Sequence, residues 1–444
     1  MKTSQQKYPG PTLRQIFRDR KEIHANIPAF LNGLSEEHGD VVLLRLRYRT
    51  WLLRNPDDVK HVLITNALNY HKTGALRMDH DLFGEGIISS TPPLHTEQRK
   101  LMNPMFHRKS IAGFIETMQE STREHIESWR EGDEIELNLE MVQLTLKIVG
   151  RTLFGIDLTD EAQEIGEAFT TVQRLLVRRM QQVPIPKWVP TQTNSRYKKA
   201  LRKIDTFITD LIHSRRRLSE QPSDLLGMLI DARYEDGSEM EDGQMRDELV
   251  TLLTAGHETV SNALNWTFYL LSENPDADDL IHQEWQDILK GKSPDMEDFS
   301  QMVYTDKVVA ESMRVCPPAW ILARTAVESD TLPCGVEIRP KDEIILPPYV
   351  LHRNPKFFPD PDRFDPERWT PEFKKSLPAG VYLPFGIGPR YCIGEQFARS
   401  EIAVILATIG QRFRLRMLPG QNVEPEAMIT MRPRYGLKMK LEAN

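Results

Sequence analysis

The stretch Phe385-Gly386-Ile387-Gly388-Pro389-Arg390-Tyr391-Cys392-Ile393-Gly394 decides how the rest of this 444-residue chain is read. One cysteine stands in a loop stiffened by a proline and loosened by three glycines. Phe385 lies seven positions upstream of it and Arg390 two, and an apolar helical pattern opens near Glu395. Gly386, Gly388 and Gly394 permit backbone conformations closed to other residues and let the main chain approach a flat ligand. N–H groups at the start of the helix after Gly394 would stabilise negative charge on the sulfur. The loop therefore reads as a thiolate presented to a ligand, against the commoner fate of a lone cysteine as a small buried hydrophobe.

Composition narrows the class. With 40% hydrophobic and 27% charged residues the chain has the balance of an ordinary soluble globular protein. Its formal net charge of -7 argues against a nucleic-acid binder. Cys316, Cys334 and Cys392 are too few and too irregular for a disulfide framework or a zinc site, which leads us to expect a reducing, cytoplasmic location. No run of about 18 apolar residues occurs, so neither a membrane anchor nor a signal peptide is expected. No linker or low-complexity tract divides the chain, and one domain over residues 1–444 is expected in spite of a length prior of about 150 residues per domain.

Val41-Val42-Leu43-Leu44-Arg45-Leu46 and Trp51-Leu52-Leu53 read as short strands of a hairpin. Helical patterns dominate from about residue 96 to 315, and turns return at Pro347-Pro348 and from Pro359 to Pro366. Val183-Pro184-Ile185-Pro186-Lys187-Trp188-Val189-Pro190 cannot continue a helix and reads as an apolar loop. The longest clean helical pattern runs from Asp242 to Asn274 and stops before Pro275. It contains Ala255-Gly256-His257-Glu258-Thr259-Val260, where a mid-helix glycine costs about 1 kcal/mol relative to alanine. An acid and a β-branched alcohol follow it, so some functional compensation is expected.

Phe-x-x-Gly-x-Arg-x-Cys-x-Gly is matched here at all five fixed positions and resembles the haem-binding signature of the cytochrome P-450 superfamily, the haem-thiolate monooxygenases. The resemblance implies a mainly α fold with a small β region (α+β), a helix-rich triangular prism with haem between the long central helix and the helix after the cysteine loop. It implies Cys392 as the iron ligand and Phe385 packed against the thiolate side of the haem. Ala255 to Val260 resembles the family's oxygen-binding pattern. By that likeness Ala255 borders the haem, Gly256 leaves room for dioxygen, Thr259 hydrogen-bonds it and Glu258 relays protons through water. Val260 departs from the pattern, which has a second alcohol there, and Ser261 is the candidate substitute. His257 gains no role as a ligand.

Cations for the haem propionates are implied at His95 and Arg99, at Arg324 after Pro317-Pro318-Ala319-Trp320, and at Arg390; arginine suits carboxylates through its planar fork. Glu311-Ser312-Met313-Arg314 with Phe364-Asp365-Pro366-Glu367-Arg368-Trp369 resembles the family's buried ion-pair network, a structural role for Glu311, Arg314 and Arg368. His352-Arg353 is read as structural too. The implied reaction inserts one oxygen atom of O2 into a C–H bond of a small hydrophobic substrate: a carotenoid, fatty acid or terpenoid. The likeness is to the soluble bacterial branch that contains a thermophilic carotene hydroxylase.

Substrate contacts are implied at Leu82, Phe83, Ile87 and Ile88, at Thr254 and Ala255, at Ile321 and Leu322, and at Ile429 and Met431. The implied cofactor is haem b, with O2 as co-substrate and NAD(P)H acting through a separate ferredoxin or flavodoxin and its reductase; no fused reductase is expected. Lys100, Arg108 and Lys109 are candidates for docking that partner. A monomer is expected. The rival readings are a peroxygenase or lipid-oxide isomerase, disfavoured by Glu258-Thr259, and a non-catalytic haem sensor.

Overall fold

The computed structural model describes residues 8–45, 48–72, 80–157, 165–172, 174–175, 186 and 188–444. These fall into two compact units, each woven from three stretches of chain. The first comprises Met1–Gly74, Lys307–Cys392 and Glu424–Arg434; the second comprises Ala75–Asp306, Ile393–Val423 and Tyr435–Asn444.

The first unit is built on a five-stranded sheet in the order Val41–Arg45, Arg49–Leu53, Glu343–Leu346, Leu322–Ala326, Tyr70–Lys72. The first two strands form the expected antiparallel hairpin, and the second continues in parallel to Glu343–Leu346. Alternation along a strand sends successive side chains to opposite faces. Val42, Leu44 and Leu52 accordingly pack with Leu31, Leu34 and Trp320, whereas Leu43, Trp51 and Leu53 pack with Val59, Val62 and Leu346. Both faces are covered, which is why this run is continuously apolar.

The same unit holds the ion-pair network anticipated from Glu-x-x-Arg. On the helix Val303–Val315, Arg314 donates from Nε to Glu311 Oε2 at 2.8 Å and from Nη2 to Oε1 at 2.9 Å. Arg368 Nε also donates to Glu311 Oε1 at 2.9 Å, and Trp369 Nε1 donates to Oε2 at 2.8 Å. Arg314 is fully buried and further donates to the carbonyls of His352, Pro361 and Arg363. His352 in turn accepts the Leu383 N–H on Nε2 at 2.8 Å, and Gly386 N–H donates to Leu383 O. A continuous chain of bonds thus runs from Glu311 to the start of the cysteine loop.

The second unit holds most of the helices. The longest, Asp242–Glu273, ends at Asn274 as the proline predicts, and Pro275 opens the next helix, where its missing N–H is harmless. We call Asp242–Glu273 the central helix; it is about 48 Å long. Leu137–Phe154, Gln192–Arg216 and Glu395–Gly410 pack on it. A three-stranded sheet, Glu134–Glu136, Lys438–Ala443, Phe413–Met417, completes the unit. Half of the proline-rich stretch from Val183 to Pro190, namely residues 183–185 and 187, lies outside the described residues. Its described end is a turn, with Val189 N–H donating to Pro186 O and Trp188 exposed.

Candidate functional site

In the first unit the cysteine loop closes on itself: Cys392 N–H donates to Phe385 O at 2.9 Å, and Tyr391 N–H to Gly388 O at 3.0 Å. The sulfur-bearing residue is left exposed and Phe385 half-buried. Gly386 and Gly388 take φ of 72° and 73°, the left-handed conformations that favour glycine, and a side chain at Gly388 would overlap the Leu63 carbonyl. Gly394 corrects the sequence expectation. Its φ is -90°, open to any residue, so it needs no glycine for its backbone.

Arg324 lies on its strand 5% exposed, and its guanidinium donates to the Ala323 carbonyl. Burial pulls its pKa down to about 10. The residue directly opposite it in the antiparallel ladder is Lys72. Like charges placed directly opposite destabilise a sheet, yet among the described residues neither cation is paired with a carboxylate. Burial pulls the Lys72 ammonium down to about 7, Arg324 and Arg390 push it the same way, and Cys392 alone opposes them. Lys72, Arg324, Arg390 and the Cys392 thiol thus share one neighbourhood, in which neither Lys72 nor Arg324 meets a carboxylate among the described residues. A bound dicarboxylate with an iron for the sulfur would supply what is missing, so these residues fit haem b. Sequence reasoning missed Lys72, because a lysine in Tyr70-His71-Lys72 carries no local signal; only strand pairing brings it opposite Arg324.

The second unit contributes the remaining assigned residues. His95 is buried on the helix Leu94–Met102, with Arg99 one turn later and half-buried. The central helix is buried on either side of a short opening, where Ala255 is exposed and Gly256, Glu258 and Thr259 are half-buried. Thr259 Oγ1 donates to Ala255 O at 2.7 Å. A side chain at Gly256 would stand 3.3 Å from Val149 Cγ2, so close packing of Leu137–Phe154 explains this glycine in part. His257 is turned away into the core, its Nδ1 2.6 Å from Leu253 O and its ring edge-on to Phe169; burial lowers its pKa. Val260 is buried, and Ser261, also buried, donates to Glu258 O at 3.0 Å. Ser261 therefore serves its own helix and does not replace the missing alcohol.

The anticipated substrate contacts divide. Leu82, Phe83 and Met431 are core residues, 2% exposed or less, while Ile87, Ile88, Ile321, Leu322 and Ile429 retain some exposure. In the first unit Met431 N–H donates to Pro318 O at 2.9 Å and Trp320 Nε1 to Met428 O at 3.0 Å, which brings the two segments flanking Ile321 and Ile429 together. Of the docking candidates, Arg108 and Lys109 are exposed, whereas Lys100 is paired with Glu235. Among the described residues no helix is long and apolar enough to cross a membrane.

Comparison with known proteins agrees with this geometry. The family model for cytochrome P-450 matches residues 8–441. The chain is 36% identical to cyclooctat-9-en-7-ol 5-monooxygenase of Streptomyces melanosporofaciens over 92% of this chain and 88% of that one. It is 32% identical to pentalenene oxygenase of Streptomyces avermitilis over 93% of this chain and 92% of that one. The crystal structure of the cytochrome P-450DA haem domain superposes with a TM-score of 0.90, at 23% identity, over 98% of this chain and 97% of that one. Signature, fold and family model coincide along nearly the whole length, and the protein belongs to the cytochrome P-450 family as a haem b-dependent monooxygenase.

Proposed function

We propose that this monooxygenase hydroxylates a terpenoid. The observation that carries the reading is the pair of relatives above 30% identity whose names specify pentalenene and cyclooctat-9-en-7-ol, both terpenoids. The candidate contact segments of each unit, Ile321 and Leu322 in the first and Ile87 and Ile88 in the second, are apolar and poor in donors, which suits a hydrocarbon skeleton.

Haem b, when bound, supplies the activation of O2 and the oxidation of the C–H bond. The chain supplies the rest. Cys392 would hold the iron through its sulfur, and the loop bond from its N–H to Phe385 O would keep that sulfur oriented. In the first unit Arg324, Arg390 and Lys72 would hold carboxylates of the group, so the repulsion between Lys72 and Arg324 would become shared attraction; in the second unit His95 and Arg99 are the candidates for the same role. Thr259 already donates its proton to Ala255 O, which leaves its oxygen lone pairs to accept from water. Glu258, half-buried beside it, takes protons from solvent and passes them along that water. Apolar side chains orient the substrate and exclude bulk water.

We further propose that residues 1–444 act as one catalytic domain, monomeric and cytoplasmic, with electrons from a separate ferredoxin or flavodoxin that meets the exposed Arg108 and Lys109. The three cysteines, none of them in a disulfide, favour that compartment. The test has two parts. The reduced, carbon monoxide-bound spectrum should show the long-wavelength thiolate band and lose it in Cys392→Ser. Turnover of cyclic terpenes, fatty acids and carotenes with a surrogate reductase should then yield hydroxylated terpene. Equal turnover of fatty acids, or support by hydrogen peroxide alone at the same rate, would reject the proposal.

A further inference from the structure

Residues 81–88 are fastened to one turn of the central helix by main-chain bonds. Glu85 N–H donates to Asp247 Oδ2 at 2.8 Å and Ile87 N–H to Glu248 Oε2 at 2.9 Å. Arg246 donates to Leu82 O at 2.7 Å and to Asp81 O at 3.1 Å, and Gln244 to Glu85 O at 3.2 Å. The segment's own glycines are shaped to this contact. A side chain at Gly84, φ 46°, would overlap the Asp247 carboxylate, and one at Gly86 would stand 2.6 Å from Asp247 O and overlap Thr251 Oγ1.

Glu248 is the costly member. It is 0% exposed, its second oxygen accepts, among the described residues, from Gln244 at 2.9 Å, and burial beside Asp247 pushes its carboxyl up to about 7. A buried acid so placed is a poor way to stabilise a helix, and such groups concentrate at functional sites. What it fastens is the backbone of Ile87, which is 9% exposed and packs with Leu82 and Phe83, next to the half-buried Ile88; of the segment's apolar side chains these two keep some exposure, while Leu82 and Phe83 keep 2% or less. Glu248 lies seven residues, about 10.5 Å of helix, before the opening at Ala255.

We propose that Glu248 is a specificity-determining positioning residue: through the Ile87 N–H it holds Ile87 and Ile88 as a rigid apolar face for the substrate. This rests on the reading that the substrate is a hydrocarbon-rich molecule meeting that segment. Glu248 touches no reacting atom, so its loss should alter which substrates bind without altering the haem.

The test uses holoenzyme of Glu248→Leu, Glu248→Gln and Gly86→Ala. Two quantities are read: the change in haem absorption as pentalenene or dodecanoic acid binds, and the affinity for imidazole, a small iron ligand that needs no apolar face. Glu248→Leu should weaken pentalenene binding about tenfold or more and leave imidazole affinity and the carbon monoxide band unchanged. Glu248→Gln, which keeps an acceptor for the Ile87 N–H, should restore most of it. Gly86→Ala should reproduce the selective loss, and it stands in if the leucine variant does not fold. Unchanged pentalenene affinity in either disruptive variant, or equal loss for imidazole, overturns the proposal. If wild-type protein binds dodecanoic acid but not pentalenene, the terpenoid reading fails alone and dodecanoic acid becomes the probe. If it binds neither, the hydrophobic-substrate reading fails and the proposal falls with it.

Discussion

Arg314→Ala should yield protein that cannot hold haem, and the structure says why by more than the loss of one ion pair. The guanidinium is fully buried and makes five hydrogen bonds, two to Glu311 and one each to the carbonyls of His352, Pro361 and Arg363. Truncation leaves Glu311 buried with Arg368 as its remaining cation, a cost of about 3–5 kcal/mol. Three carbonyls also lose a donor, at about 1–3 kcal/mol for each that water cannot reach. Against a total stability of about 5–15 kcal/mol this removes most of the margin. The damage is directed, because His352 connects Arg314 to Leu383 N–H and thence to the cysteine loop. Arg368→Ala is the internal comparison. It breaks one bond to Glu311, one to Pro359 O at 3.1 Å and a long one to Arg363 O at 3.5 Å, and leaves Arg314 in place. The assay is the ratio of haem absorbance to protein absorbance in purified protein, with the carbon monoxide band as a check on ligation. Arg314→Ala should fall below about a tenth of the wild-type ratio, and Arg368→Ala should lie between the two. Wild-type haem content in Arg314→Ala, with an unshifted carbon monoxide band, would refute the reasoning.

Lys72→Met should move apo and holo protein in opposite directions. Without haem it removes the charge facing Arg324 and should stabilise the fold by about 0.5 kcal/mol; with haem it removes a carboxylate partner and should speed haem transfer to apomyoglobin severalfold. A shift of the same sign in both forms would count against the assignment. Thr259→Val should keep consuming NAD(P)H and O2 while the share of electrons recovered as hydrogen peroxide rises and that recovered in product falls; an unchanged ratio removes Thr259 from the proton path. His352 is buried, and burial with the neighbouring Arg314 and Arg353 lowers its pKa from 6.5 to about 3. Its lowered folded-state value means the unfolded chain binds the extra proton first, so this residue's contribution is intact above pH 6.5 and is lost as pH falls toward about 3. Haem loss on acidification should therefore begin below about pH 6.5, and His352→Gln should shift its onset downward, measured by haem absorbance across a pH series.

What could be read from the sequence was whatever is local. The cysteine loop, the proline-stopped central helix and the first hairpin are each specified by residues within a few positions of one another. The partners of Glu311 were half legible: Arg314 sits one turn away, and Arg368 was reached only through a family pattern. Trp369 Nε1 and the Asp365 N–H, which complete its coordination, carry no signal of their own. Lys72 was invisible for the same reason. Ser261 and Gly394 show a different limit. Residue type allows several uses, a hydroxyl that bonds its own helix or another group and a glycine that does or does not need positive φ, and the helix geometry chooses among them.

The parallel pairing of Thr50 with Glu343 sets a timetable for synthesis. The strand Arg49–Leu53 leaves the ribosome with one partner, and its other edge stays open until nearly three hundred further residues have been made. At about 5–20 residues per second that is on the order of 15–60 s, during which an apolar edge is available to other nascent chains. Chains cut short before Leu346 should accumulate in aggregates, and holding translation slow in its last third should demand more chaperone than slowing it in the first.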